Sequence, residues 1–228
     1  MREGFLKACL GAVLAVGAMS AAQADVVTFE DVAPTPAFFA EGDSFSSGGM
    51  NFSVGFAGLG FGVVGTTADF VFAAPPTGTS GNFFAALNDS GVTMTAPDGG
   101  RFYVAGFDYG FVAPFPNLGG PSPGLMVVIW QDGLGGSGVS GYDFGDTDQD
   151  GNWTMRQAGN PDLGDAFPGW VSSVTFVACL YAGNGCVFPA DNLAQFALDN
   201  VAVPVPATWM LVALALGAGG AVRRRVGA

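Results

Sequence analysis

The side chains in this sequence whose types and spacing could do chemistry are carboxylates. Asp146, Asp148 and Asp150 alternate ahead of a glycine in Asp146-Thr147-Asp148-Gln149-Asp150-Gly151-Asn152-Trp153. Alternate positions put three hard oxygen donors on one side of a tight turn, and the glycine lets that turn be sharp. This is donor chemistry suited to Ca2+. The same residues also make an ordinary acidic, solvated turn between two strands. A second set is divided between Thr28-Phe29-Glu30-Asp31 and Gln195-Phe196-Ala197-Leu198-Asp199-Asn200-Val201. Asp199 lies in an apolar run, with Ala197 and Val201 expected on its own face, and a carboxylate buried there needs a partner or a metal. The first and last strands of a sandwich commonly lie close together. Glu30 or Asp31, Asp199 and a backbone carbonyl could then share one Ca2+. The alternatives are a carboxylate that caps loop amides, or one that pairs with Arg101 or Arg156.

Composition removes other chemistries. Between Asp25 and Val203 the only cations are Arg101 and Arg156, against eighteen carboxylates, a formal charge of −16. Such a surface repels nucleic acid and anionic lipid, which excludes both as partners of this portion, and it attracts divalent cations. The chain has no histidine, and its one lysine, Lys7, lies outside this portion. Imidazole bases, Ser-His triads, zinc sites with histidine ligands and Schiff-base chemistry are therefore excluded. The only glutamates here are Glu30 and Glu41, and no spacing marks a glycosidase pair.

Short β-rich runs separated by Gly, Pro, Asn and Asp position these groups, and no long 3.6-residue period appears. The candidate strands are Val26–Glu30, Met50–Phe56, Phe61–Val64, Asp69–Ala73, Asn82–Leu87, Val92–Thr95, Phe102–Tyr109, Leu125–Gln131, Trp153–Gln157, Val171–Leu180 and Gln195–Val203. Breakers include Asp98-Gly99-Gly100 and the stretch from Gly133 to Gly141, neither expected to continue a strand. The expected fold is all-β, a jelly-roll-like β-sandwich of one domain. Cys179 and Cys186 flank Leu-Tyr-Ala-Gly-Asn-Gly, whose Gly183-Asn184-Gly185 is a turn signal. They read as a hairpin-like loop closed by a disulfide, the alternative being two reactive thiols.

Both ends read as targeting segments. Arg2 and Lys7 precede an apolar stretch from Ala8 to Met19, and Ala22-Gln23-Ala24 is a small-x-small cleavage site. Residues 1–24 are thus expected to be a signal peptide, and 25–203 the exported domain. After Pro204-Val205-Pro206 comes an uncharged run from Ala207 to Val222, then Arg223-Arg224-Arg225. Sixteen helical residues span about 24 Å, short for a hydrocarbon core of about 30 Å. The arginines are expected to stay cytoplasmic, leaving the domain outside. A buried core helix fits badly with Gly217, Gly219 and Gly220 and a triple-arginine end.

Motif, apolar run and arginine cluster, in that order over residues 204–228, resemble the PEP-CTERM sorting tail of Gram-negative bacteria. The resemblance implies a transient inner-membrane helix and recognition by an exosortase-type processing enzyme. It further implies delivery to the cell surface or extracellular matrix. Val205 departs from the family's Pro-Glu-Pro. Gln195-Phe196-x-x-Asp199 and Phe29-Glu30-Asp31 resemble the QFxxD subgroup of these proteins, which brings no activity with it. The pairing of Glu30, Asp31 and Asp199 resembles the calcium site of jelly-roll carbohydrate-binding modules. The acidic run from Asp146 is no EF-hand, since Gln157 stands at the twelfth position and no flanking helices are visible.

The expected function is that of an exported, non-enzymatic envelope or biofilm-matrix protein. The alternative is a carbohydrate-binding module with a structural calcium, its ligand a matrix polysaccharide. Sugar faces would stack on exposed aromatics, for which Trp130, Trp153, Trp170, Tyr109 and Tyr142 are candidates; each also suits a sandwich core.

Overall fold

The structure, a computed structural model, describes residues 24–56, 60–114, 119–159, 169–183 and 185–204. Asp25–Val203 forms one compact unit. The first strands in chain order are β1 (Ala24–Val27), β2 (Ala37–Ala40), β3 (Ser44–Ser47), β4 (Met50–Val54) and β5 (Phe61–Gly65). A 3-10 turn at Thr67–Asp69 leads to β6 (Ala73–Ala74), β7 (Phe83–Leu87), β8 (Gly91–Thr95), β9 (Gly106–Phe111) and β10 (Ala113–Pro114). The remainder are β11 (Gly124–Gln131), β12 (Ser137–Asp143), β13 (Arg156–Ala158), β14 (Ser173–Ala182), β15 (Gly185–Val187) and β16 (Phe196–Pro204).

These strands make an all-β sandwich. One sheet has the order β13-β9-β16-β7-β5-β2, with β1 also paired to β16. The other runs β12-β11-β14-β8-β4-β3, with β15 paired to β14. Alternation along each strand divides its side chains between two faces. Phe45, Phe52, Met94, Phe176 and Met126 of the second sheet meet Phe84, Phe107, Phe196 and Leu198 of the first in one core. The rings interlock, with Phe45 stacked on Phe52 at 5.1 Å between centroids and on Phe39 at 4.4 Å. Each fully buried Phe contributes about 1.5–3 kcal/mol relative to exposure.

The first sheet is covered on both faces. On β7, Phe84 and Ala86 enter the main core, while Phe83, Ala85 and Leu87 join a second cluster with Phe70, Ala73, Val112, Val63 and Ala197. All five β7 residues are buried. Ala73 of β6 and Phe70, which follows the 3-10 turn, supply part of this cover. Among the described residues, the outer side chains of the second sheet are half-buried or exposed along β3, β4 and β12, while Val177 and Cys179 on the outer side of β14 are buried.

Several elements depart from the sequence expectation. The first strand stops at Val27, because Phe29 turns left-handed at φ 61 and drops its ring into the core. Asp69 does not start a strand; its carboxylate accepts from the Thr66 amide and hydroxyl at 2.8 Å and closes the 3-10 turn. Strand β12 runs through Gly138 and Gly141, inside the expected breaker. Gly138 lies opposite Trp130, and a Cβ there would collide with the indole ring, so glycine is what lets the strand pass beneath it. Strands β2, β3 and β15 were not foreseen, being short and lying at the edges of their sheets or beside the hairpin turn.

Candidate functional site

The open face of the second sheet is built by strict alternation. Phe45, Phe52, Met94 and Phe176 point into the core, so their neighbours Ser44, Ser46, Asn51, Ser53, Thr93, Thr95 and Thr175 point outward. The strand registers align these into rows. One row crosses six of the seven strands as Ser46, Asn51, Thr95, Ser173, Gln131 and Ser137. The next runs Ser44, Ser53, Thr93, Thr175, Ile129 and Val139. Neighbouring strands lie about 4.7–4.9 Å apart, so a hydroxyl or amide recurs at that interval along the whole first row, and along the second from β3 to β14 before Ile129 and Val139 end it.

The rows are tied internally. Thr93 and Thr175 hydroxyls are 2.8 Å apart, and the Ser46 hydroxyl donates to Asn51 Oδ1 at 2.9 Å. Ser44, Ser46, Asn51, Ser53, Thr93 and Thr95 line a groove of about 380 Å3, with Phe45 and Phe52 also at its wall. Among the outward strand positions of this sheet the ionisable groups are Asp143, at the far corner on β12, and Tyr181 on β14, whose hydroxyl donates to Asp143 Oδ2 at 2.7 Å. A neutral face on so acidic a domain offers donors and acceptors to uncharged hydroxyls.

The aromatic candidates lie elsewhere. Trp153 and Tyr109 are buried in the core, and Trp130 and Tyr142 pack half-buried against it. Trp170 is 40% exposed, its carbonyl accepting from the Arg101 guanidinium at 2.7 Å. These five make no exposed strip. The sequence carries the alternation Ser44-Phe45-Ser46, Asn51-Phe52-Ser53 and Val92-Thr93-Met94-Thr95, but only the strand registers show that these positions share one face.

The split acidic set is partly assembled. Asp199 on β16 lies directly opposite Asp108 on β9, and Glu30 is within electrostatic reach. Burial, then repulsion from Asp108 and Glu30, raises the Asp199 pKa to about 7, against a hydrogen bond from the Asn200 amide at 2.8 Å. The two arginines act elsewhere, Arg101 on Asp132 and Arg156 on Asp143. Glu30 accepts from the Asn82 amide at 2.8 Å and sits where a Cβ on Gly81 would be. Asp108 accepts from the Asn200 side chain at 2.8 Å. Asp31 is not part of this set. Its carboxylate receives the Ser47 hydroxyl and, at 2.9 Å, the Gly48 amide, which together outweigh desolvation and lower its pKa. Val201 does not share the Asp199 face: Asn200 is left-handed at φ 49 and the register shifts there, returning Val201 to the core.

In the loop from Asp146 the oxygens serve the backbone. Asp148 Oδ1 accepts from the Asp150 and Asn152 amides at 2.9 and 2.8 Å, and Asp146 Oδ1 from the Ser122 amide at 2.9 Å. The structure does not bring Asp146, Asp148 and Asp150 onto one point. Among the described residues no three acidic or cysteine side chains converge closely enough to form a ready-made metal cage.

Cys179 and Cys186 form a disulfide with Cα atoms 5.5 Å apart, across the hairpin of β14 and β15. Pro204 ends β16, while Val205, Pro206 and the rest of the expected sorting tail lie outside the described residues, as do residues 1–23. Among the described residues no helix is long and apolar enough to cross a membrane.

No family model matches the chain, and no curated protein does. Solved structures do. A DUF4465 family protein from Bacteroides caccae aligns at TM-score 0.54 and 14% identity, covering 78% of this chain and 97% of its own. This likeness shows the sandwich fold. A CBM22-2 xylan-binding domain from Paenibacillus barcinonensis aligns at TM-score 0.39 and 10% identity, over 79% of this chain and 98% of its own. A CBM61 module, solved with β-1,4-galactotriose, aligns at TM-score 0.34 and 11% identity, over 67% and 86%.

Proposed function

We propose that this domain is a non-catalytic carbohydrate-binding module that holds a neutral polysaccharide on the open face of its second sheet. The observation that carries this reading is the charge-free array of hydroxyls and amides, set on a domain of formal charge −16. Neutral polyols exchange hydrogen bonds with such groups without any charge to bury. Anionic polymers meet repulsion from the surrounding carboxylates. The absence of histidine and of a paired acid on the face supports binding without turnover.

The sandwich is jelly-roll-like in this reading, supported by the pairing of β1, the first strand, with β16, the last. Asp199 lies within electrostatic reach of Asp108 and of Glu30, with no arginine among the groups acting on it, a setting that favours a proton or a cation. The three carboxylates do not form a cage as they stand, so a Ca2+ held there would have to draw them together, and would then supply positive charge and brace the two ends of the domain. The signal-peptide pattern and the 204–228 tail support export and exosortase-type sorting to the surface or matrix of a Gram-negative bacterium.

The test is retention of the full chain on insoluble neutral glycans such as xylan and β-glucan, beside an acidic polymer such as pectate. The double variant Thr93→Val, Thr175→Val keeps β-branched shape and removes two hydroxyls. It is expected to weaken retention about tenfold, the sum of two neutral hydrogen bonds. Retention unchanged by the variant, or stronger on pectate than on neutral glycan, sinks the proposal. A matrix protein without glycan affinity is then the better reading.

A further inference from the structure

We propose a second binding site, distinct from the open face: a pocket that takes a single neutral pyranose unit, such as a chain end or side branch. The pocket is about 330 Å3, at the small end for ligand sites, with room for one ring and not for an extended chain. It opens at the edge of the second apolar cluster, where Ala73 and Leu87 form buried parts of its lining.

Its walls are of two kinds. Phe61, Phe72 and Leu193 give it apolar surface, and Phe72 and Leu193 are 44% and 42% exposed. Asn88, Asp191, Asn192 and Gln195 supply amides and one carboxylate. A pyranose presents the matching pair of surfaces. Its C–H face packs against aromatic rings, and its hydroxyls exchange hydrogen bonds with amides and carboxylates. No arginine lines the pocket, and Asp191 disfavours a uronate or sulfated sugar.

The polar wall is held in place by a buried clamp. Asp89, 1% exposed, accepts from the backbone amides of Ala190, Asn192 and Ala194 at 2.9, 2.8 and 2.8 Å. It thereby ties the turn after β7 to the loop before β16. Asn88, Asp89, Asp191 and Asn192 are all left-handed, with φ of 56, 61, 53 and 66°. Left-handed non-glycine backbone persists where surrounding contacts over-determine it, and here it fixes Asn88 and Asn192 before any ligand arrives.

The experiment is saturation-transfer NMR and calorimetry on the full chain. The probes are the methyl β-pyranosides of glucose, galactose, xylose and N-acetylglucosamine, with glucuronate as the charged control. At least one neutral glycoside is expected to bind saturably, and glucuronate not to. Phe72→Ala is expected to weaken that binding about tenfold, as loss of one aromatic stacking partner does. Asn192→Gly, which keeps the left-handed backbone and removes the amide, is expected to weaken it too. Thr93→Val with Thr175→Val is expected to leave it unchanged while lowering polysaccharide retention, so the two sites fail or stand separately. No saturable binding by any of the four glycosides overturns the proposal, as does binding indifferent to both Phe72→Ala and Asn192→Gly.

Discussion

Asp199 and Asp108 face each other across the β16–β9 ladder, two carboxylates at directly opposed positions with no arginine acting on the buried one. Like charges so placed destabilise a sheet unless a proton or a cation intervenes.

Without metal the domain is expected to be more stable near pH 5 than near pH 8. Asp199 has a folded pKa of about 7, above its ordinary value of 3.8, because burial and its acidic neighbours disfavour the charge. Between these values the folded state binds more protons than the unfolded one, so stability falls as pH rises through that window. Below 3.8 the sign reverses for other groups. Asp31 and Asp143 have lowered pKa values, since hydrogen bonds from Ser47 and from Tyr181 outweigh desolvation, and their contribution is lost as they protonate. Thermal unfolding in chelator across pH 3 to 9 reads both limbs. Asp199→Asn should flatten the upper one, and an upper limb unchanged in that variant contradicts the assignment.

Calcium is expected to raise the melting temperature at pH 8, since an ion bound only by the folded form stabilises it by mass action. The rise should disappear in Asp199→Asn and persist in Asp148→Ala, whose carboxylate serves its own turn. A rise that survives Asp199→Asn and vanishes in Asp148→Ala would move the ion to the other loop.

Asp89→Ala is expected to cost about 3–5 kcal/mol, because a buried carboxylate with three amide donors leaves all three unsatisfied when removed. Urea unfolding of the full chain measures it. A loss under about 1 kcal/mol would mean that water replaces the carboxylate without strain on the loop.

Replacing both Cys179 and Cys186 by serine is expected to destabilise by about 2–3 kcal/mol in the chain-entropy model, which a separation of 7 residues keeps modest. The same variants should leave glycan retention intact, since Cys179 and Cys186 lie apart from the neutral groove.

The fold class was legible because apolar runs bounded by glycine and proline announce strands, and most strands were found near their true positions. The boundaries that failed did so for tertiary reasons. Val26–Glu30 was cut short by a left-handed Phe29, and β12 crosses two glycines because Trp130 needs the space above Gly138. For the site, composition drew attention to acids and aromatics, which are rare and conspicuous. Serine and threonine at alternate positions carry no such flag until registers show six strands presenting them in one row. Glu30 and Asp199 could be paired from the habit of sandwiches. Asp108 could not, because only the β9–β16 register places it there.

β7 has no surface of its own. With Phe83 through Leu87 buried on both sides, its backbone amides can meet solvent only when both apolar clusters come apart. In hydrogen-exchange terms this strand reports global opening, while the edge strands β3 and β12 exchange through local fraying. The amides of β7 are therefore expected among the slowest to exchange, and the turn that carries Asn88 and Asp89, with the loop it clamps at the pocket, is anchored directly to that strand.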